Sequence, residues 1–209
     1  MRDLEIRGAG NLLGSEQSGF MASVGYDLYV KMIEETVRQM RGDTALDDIE
    51  TRVDLKIDAY LPQEYIANDL LRVEMYKKIA SIRNRDNRDD LTEELIDRFG
   101  DPNRPVMNLI EIAHLKALCA RLGIDYVTLR GDELMMRFSM AADIDFMRVL
   151  TAVKEQPQYL RVKPINPPEL YYYERGKEPE ELLRGAVKVM EKVVAAFEAA
   201  PEEETKEET

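Results

Sequence analysis

Residues 105 to 122 constrain this chain most, because read as one helix they carry apolar side chains on two faces. Val106, Leu109, Ile110, Ala113, Ala117 and Ala120 line one face; Ile112, Leu115, Cys119 and Leu122 line the other. A surface helix of a globular domain has a single apolar stripe, so this one must be covered from both sides. Pro105 suits a first helical position and Gly123 comes just after the end. The segment is expected to be the central pillar of a core that other elements complete.

Both helical and period-two spacings flank the pillar. From Thr51 to Leu61, Val53, Leu55, Ile57, Ala59 and Leu61 alternate with Arg52, Asp54, Lys56, Asp58 and Tyr60, which predicts a half-buried strand ended by Pro62. Leu71, Met75, Ile79 and Ile82 mark a helix. Asn84 to Asp90 has no apolar residue and reads as a solvated connector; Asp90 and Glu93 resemble a capping box that opens a short helix, Leu91 to Phe99, before Gly100. Tyr126 to Arg130 and Glu133 to Phe138 form a hairpin across Gly131 and Asp132, glycine at the first turn position indicating a type II′ connection. Ile144 to Val153 is expected as a helix and Tyr159 to Val162 as a strand leading to Pro164, Pro167 and Pro168. The last helix, Glu180 to about Ala199, buries Leu183, Ala186, Val187, Met190, Val194 and Phe197 on one stripe. The fold class is therefore α+β, a small, mainly antiparallel sheet packed against several helices.

The N-terminal stretch reads differently. Gly8, Gly10, Gly14, Gly19 and Gly25 fall within the first 25 residues, a density that means tight turns or close approach to another surface. A helix from Tyr26 to Arg41 comes next and stops at Gly42. Three parts are expected: residues 1–42 as a glycine-rich segment and helix, 43–200 as the α+β domain, and 201–209, with five Glu and one Lys, as a disordered acidic tail.

Little in the chain offers chemistry. The single Cys119 cannot form an intramolecular disulfide or a cysteine-based zinc site, and one histidine, His114, cannot supply a histidine-rich metal site. A histidine in mid-helix reads as a structural surface or boundary residue, and Cys119 as a small core residue. No glycine cluster is succeeded by the Lys and Ser/Thr of a phosphate-binding loop. Carboxylate pairs such as Glu93 with Glu94 or Asp89 with Asp90 arise by chance in so acidic a chain. Tyr171, Tyr172 and Tyr173 read as covering a sheet edge, with stacking on a base or a proline-rich partner as the functional option. A net charge of −12 opposes non-specific binding to a phosphate backbone, leaving Arg2, Arg7 and the Asn84 to Asp90 stretch for a nucleic-acid module. With neither a membrane span nor a secretory signal in the sequence, a cytoplasmic protein without membrane partners is expected.

Three stretches carry a resemblance. DLEIRGAGNLLG with SEQSG directly after it resembles the TRG motif shared by transcription-repair coupling factors and the branch-migrating helicase RecG. VGYDLYVKMIEETV is similar to the coupling factors' version of the adjoining segment, and LIDRFGDPNRPVMNLI to a stretch of their C-terminal domain. The likeness implies that residues 1–42 are the tail of a DNA-translocating motor, in which Arg7 and Gln17 match the arginine and glutamine that couple ATP hydrolysis to movement. It implies that residues 43–200 are a regulatory domain that folds back on a UvrB-like N-terminal module and masks its UvrA-binding surface. UvrA, RNA polymerase and duplex DNA would be partners of the full-length protein, with ATP and Mg as its cofactors. For these 209 residues the resemblance implies no enzyme, no catalytic residue and no cofactor. A nucleic-acid-binding module is the alternative, and a hydrolase built on scattered carboxylates a remote third.

Overall fold

The computed structural model of the protein describes residues 50–142 and 144–199. Among them the chain runs β1 (Arg52–Asp54), α1 (Asp69–Ala80), α2 (Arg85–Phe99), α3 (Arg104–Arg121), β2 (Ile124–Arg130), β3 (Glu133–Phe138), α4 (Phe146–Val153), β4 (Leu160–Lys163), β5 (Glu169–Tyr173) and α5 (Pro179–Ala199). One sheet has the order β1-β2-β3-β5-β4. The β1–β2 pair is parallel and the other three pairs are antiparallel, so the architecture is the expected α+β one. The glycine-rich segment, the helix expected from Tyr26 to Arg41 and the acidic tail lie outside the described residues.

Register explains which side of the sheet is buried. Val53 pairs with Val127, Val127 with Met136, and Met136 with Leu170, so these four point the same way and all join the core. Leu134, Tyr172 and Leu160 extend the same face. Helix α3 packs on β1 and β2, α5 on β3 and β5, and the two helices pack on each other. Since α3 also contacts α1 and α2, it is covered by sheet and helices alike, as its two apolar faces require. Val106, Leu109, Ile110, Leu115 and Cys119 are all fully buried, and burial pushes the Cys119 thiol well up, which leaves it unreactive. In the hairpin, Gly131 has φ +62° and Arg130 pairs with Glu133, so the two-residue loop uses the positive φ that glycine at that position supplies.

Three expectations need correction. The alternation from Thr51 to Leu61 predicts a long strand, but the ladder spans only Arg52–Asp54. Alternation of burial nonetheless continues: Val53, Ala59 and Leu61 are buried while Lys56, Asp58 and Tyr60 are exposed. A tight turn, Ile57 N–H to Leu55 O at 2.9 Å, takes the chain out of the ladder. Beyond it, side chains replace the missing strand partner: Asn108 donates to Asp58 O at 2.9 Å, and Leu61 N–H donates to Tyr76 Oη at 2.8 Å.

The Asn84 to Asp90 stretch is not a connector. Helix α2 begins at Arg85, capped by the Asn84 side chain, which accepts from Asn87 N–H at 2.9 Å, and Asp90 is inside it. Arg85 pairs with Asp89 at i,i+4, and Arg88 reaches Glu191 on α5 at 3.3 Å. A first turn without apolar residues is thus held by its cap and its ion pairs. Nor do the tyrosines cover a sheet edge: they belong to β5, an inner strand between β3 and β4, where Tyr171 and Tyr172 are buried.

Candidate interaction surface

Helix α2 separates its residues sharply by side. Leu91 and Leu95 are buried, whereas Asp86, Asp90, Glu93 and Asp97 are exposed and spaced 4, 3 and 4 residues apart. At 100° per residue that spacing places all four acids within about 60° of one another, opposite the leucines. None of the four has a cationic partner among the described residues, and Ile96, 42% exposed, lies beside them. Asp97 in the last turn also opposes the helix dipole, an arrangement that stability alone does not favour.

The remaining charges of α2 fasten it to the domain. Glu94 accepts two bonds from Lys78 of α1, at 2.6 and 2.7 Å, and a third from Arg98 at 2.5 Å. Those donors hold its carboxyl below the usual range. Desolvation pushes Asp89 up, but bonds from Arg88 and Arg85 win and lower it. Tyr65 donates to Gly100 O at 2.9 Å and packs its ring on Phe99, closing the C-terminal end. Cations therefore engage neighbouring carboxylates while the stripe of unpaired acids faces outward from a seated helix.

Under α2 lies a buried polar junction. His114 is fully buried on α3, a correction to its reading as a surface or boundary residue, with Nε2 3.0 Å from Glu191 Oε1. Glu191 also accepts from Arg88, while His114 Nδ1 has no partner among the described residues. Burial lowers the histidine pKa, with Arg88 adding to that against the opposing pull of Glu191 and Asp89. On the same helix, burial raises Glu111, helped by Glu191 and opposed by Arg88, Arg184 and Lys188.

These two shifts make stability depend on pH. The unfolded chain binds a proton at His114 more tightly than the fold does, so this group's contribution is complete above about pH 6.5 and is lost as pH falls through the lowered value. Glu111 acts oppositely: its contribution is complete below about pH 4.5 and is lost as pH rises through the raised value. Unfolding measured between pH 7.5 and 5.5 should show the parent chain losing stability relative to His114→Gln. Parallel curves would refute the assignment.

Among the described residues no group of three or more His, Cys, Asp or Glu side chains is placed to hold a metal ion. No described helix is long and apolar enough to cross a membrane. What the geometry offers instead is a rigid acidic surface.

Residues 55–149 match the TRCF domain family. The chain is 44% identical over 144 residues to the transcription-repair-coupling factor of Staphylococcus aureus (strain USA300), covering 68% of this chain and 12% of that one. It is 38% identical over 148 residues to the Bacillus subtilis (strain 168) protein of that name, covering 69% and 13%. A crystal structure of the C-terminal domain of transcription-repair coupling factor superposes with a TM-score of 0.60 at 28% identity, covering 73% of this chain and 98% of that one. The chain belongs to the transcription-repair coupling factor family. The matched part of the chain spans about an eighth of the length of these curated relatives.

The family match falls on the α+β domain. Both Arg7 and Gln17 lie outside the described residues. Of the basic residues considered for nucleic acid in the Asn84 to Asp90 stretch, Arg85 and Arg88 are both paired with Asp89. The acidic stripe of the TRCF domain was readable in the 4-3-4 spacing of its carboxylates, but only once the stretch is known to be helical. Arg88 and Glu191, 103 residues apart, gave no sequence signal of their contact.

Proposed function

We propose that this TRCF domain is the autoinhibitory clamp of a full-length coupling factor, covering the UvrA-binding surface of the UvrB-like module by intramolecular contact. The observation that carries the reading is the stripe Asp86, Asp90, Glu93 and Asp97, unpaired, outward-facing and fixed on a rigid helix. It spans about 16 Å, and it fits a basic counterpart on the module it covers. Contacts between exposed charges are each worth about 1 kcal/mol or less, which suits an interface that must reopen. Ile96 supplies an apolar contact beside the charges.

In the full-length protein the domain comes after a DNA translocase that uses ATP and Mg, and its release accompanies engagement of stalled RNA polymerase. Arg7 and Gln17 couple hydrolysis to movement in the TRG segment, a role for which a bidentate guanidinium and a glycine-rich backbone are suited. The chain alone hydrolyses no nucleotide. The nucleic-acid reading is the weaker one, because Arg85 and Arg88 are neutralised by carboxylates and the acids beside them repel phosphate.

Removing residues 43–200 from the full-length protein is expected to raise capture of purified UvrA. Unchanged capture would overturn the clamp. Tight, salt-dependent binding of duplex DNA by the isolated chain would favour the nucleic-acid reading instead.

A further inference from the structure

Beyond the clamp, the opposite charge is concentrated on other elements. An open cleft of about 360 Å³ lies between α5 and the β4–β5 pair. Tyr172 and Tyr159 form part of its floor, their rings stacked with centroids 6.2 Å apart, and the buried Tyr172 donates its hydroxyl to Glu174 Oε2 at 2.7 Å. Gly185 makes that floor possible. A Cβ at this position in the interior of α5 would overlap the Tyr172 hydroxyl and come within 3.0 Å of Glu174 Oε2. Glycine in a helix interior is disfavoured relative to alanine, so the close approach is held against helix propensity.

Arg184, Lys188 and Lys192 line the α5 side of the cleft. Four-residue spacing stacks them on one stripe about 12 Å long. All three are exposed, and none has a carboxylate within ion-pair distance among the described residues. The two acids in the cleft are engaged by other groups, although Glu181 also interacts electrostatically with Arg184 without forming an ion pair. Glu174 accepts from Tyr172 and lies 3.9 Å from Lys177; Glu181 accepts from Glu178 N–H at 3.2 Å and Lys177 at 3.3 Å. Glu111 interacts electrostatically with Arg184 and Lys188 from α3, but it makes no ion pair with either. Three neighbouring cations therefore face an open cleft in a chain of net charge −12.

That contrast selects the kind of ligand. An extended polyanion experiences the repulsion of the whole acidic molecule, whereas charges more than about 10 Å away are screened from a compact one at ordinary salt. The cleft volume falls in the range of small-molecule sites, and guanidinium and ammonium groups are the usual partners of phosphate oxygens. We propose that this cleft binds a compact phosphate-bearing ligand, with Arg184, Lys188 and Lys192 holding its phosphate oxygens at the edge of the Tyr159–Tyr172 floor.

The test is calorimetric titration of the complete 209-residue chain with inorganic tripolyphosphate, at low and at physiological salt. Binding that weakens with salt and drops at least about tenfold in Arg184→Gln/Lys188→Gln/Lys192→Gln, with an unchanged melting temperature, is expected. Lys188→Gln alone should lower affinity by about two- to fivefold, so the inference does not depend on the triple variant folding. Adenosine triphosphate in a parallel titration separates the sources: equal affinity means the phosphates alone are read, and tighter binding means that the half-buried Tyr159 takes a ring. No binding of either probe at millimolar concentration would overturn the proposal, as would affinities unaffected by the substitutions. So would tighter binding of duplex DNA or of a polyglutamate peptide than of tripolyphosphate, if the same variant abolished it.

Discussion

Truncating Ile110 to alanine is expected to destabilise the domain by about 2–5 kcal/mol, among the largest effects of any single substitution in it. Ile110 is fully buried on α3, the helix that contacts the sheet, α1, α2 and α5 together. A cavity there is surrounded by elements already committed to other contacts, so collapse around it is incomplete. Thermal unfolding reads the loss as about 2–4 °C per kcal/mol for a domain of this size. Asp97→Asn on the outer face of α2 is the contrast: it should change stability by no more than about 0.5 kcal/mol, and in the stabilising direction, because it removes a negative charge from a helix C-terminus. Comparable losses from both substitutions would mean that α3 is not the pillar.

Gly185→Ala is the second large effect, and its sign is the informative part. On propensity alone alanine should stabilise α5 by about 1 kcal/mol. The added methyl instead meets the hydroxyl of Tyr172, a ring buried between β3, β4 and α5, and the net result should be a loss of about 1–3 kcal/mol. Tyr172→Phe removes the colliding oxygen. In a double-mutant cycle the pair should therefore couple favourably, with Gly185→Ala costing less in the Tyr172→Phe background than in the parent. Additive effects would show that the hydroxyl does not set the requirement for glycine.

How far the sequence was readable depended on whether an element is held by its own pattern or by distant partners. Helices α3 and α5 are long and carry clear apolar spacing, so their extents and buried faces were legible; Pro179 begins α5, while Pro105 falls one residue after the start of α3, at Arg104. The β2–β3 hairpin was legible through Gly131. Helix α2 was half legible: Leu91 and Leu95 mark its inner face, but its first turns have no apolar residue and depend on the Asn84 cap and on Arg88 reaching Glu191. Nothing local encodes that reach. The strand Glu169–Tyr173 hid among prolines and consecutive tyrosines, because a strand buried on both faces lacks alternation. His114 was misplaced for the reason that any lone polar residue is: its burial depends on Glu191, 77 residues away. The acidic stripe shared the fate of α2, its 4-3-4 spacing having meaning only on a helix.

The stripe contributes surface charge and little to packing, so it can be altered without disturbing the fold. The most direct measurement is capture of purified UvrA by full-length protein carrying Asp90→Lys and Glu93→Lys. If the acids hold the UvrB-like module shut, capture should rise to the level of protein lacking residues 43–200, while the melting temperature of the domain stays within the range expected of surface substitutions. Capture no greater than that of the unsubstituted protein would contradict the account.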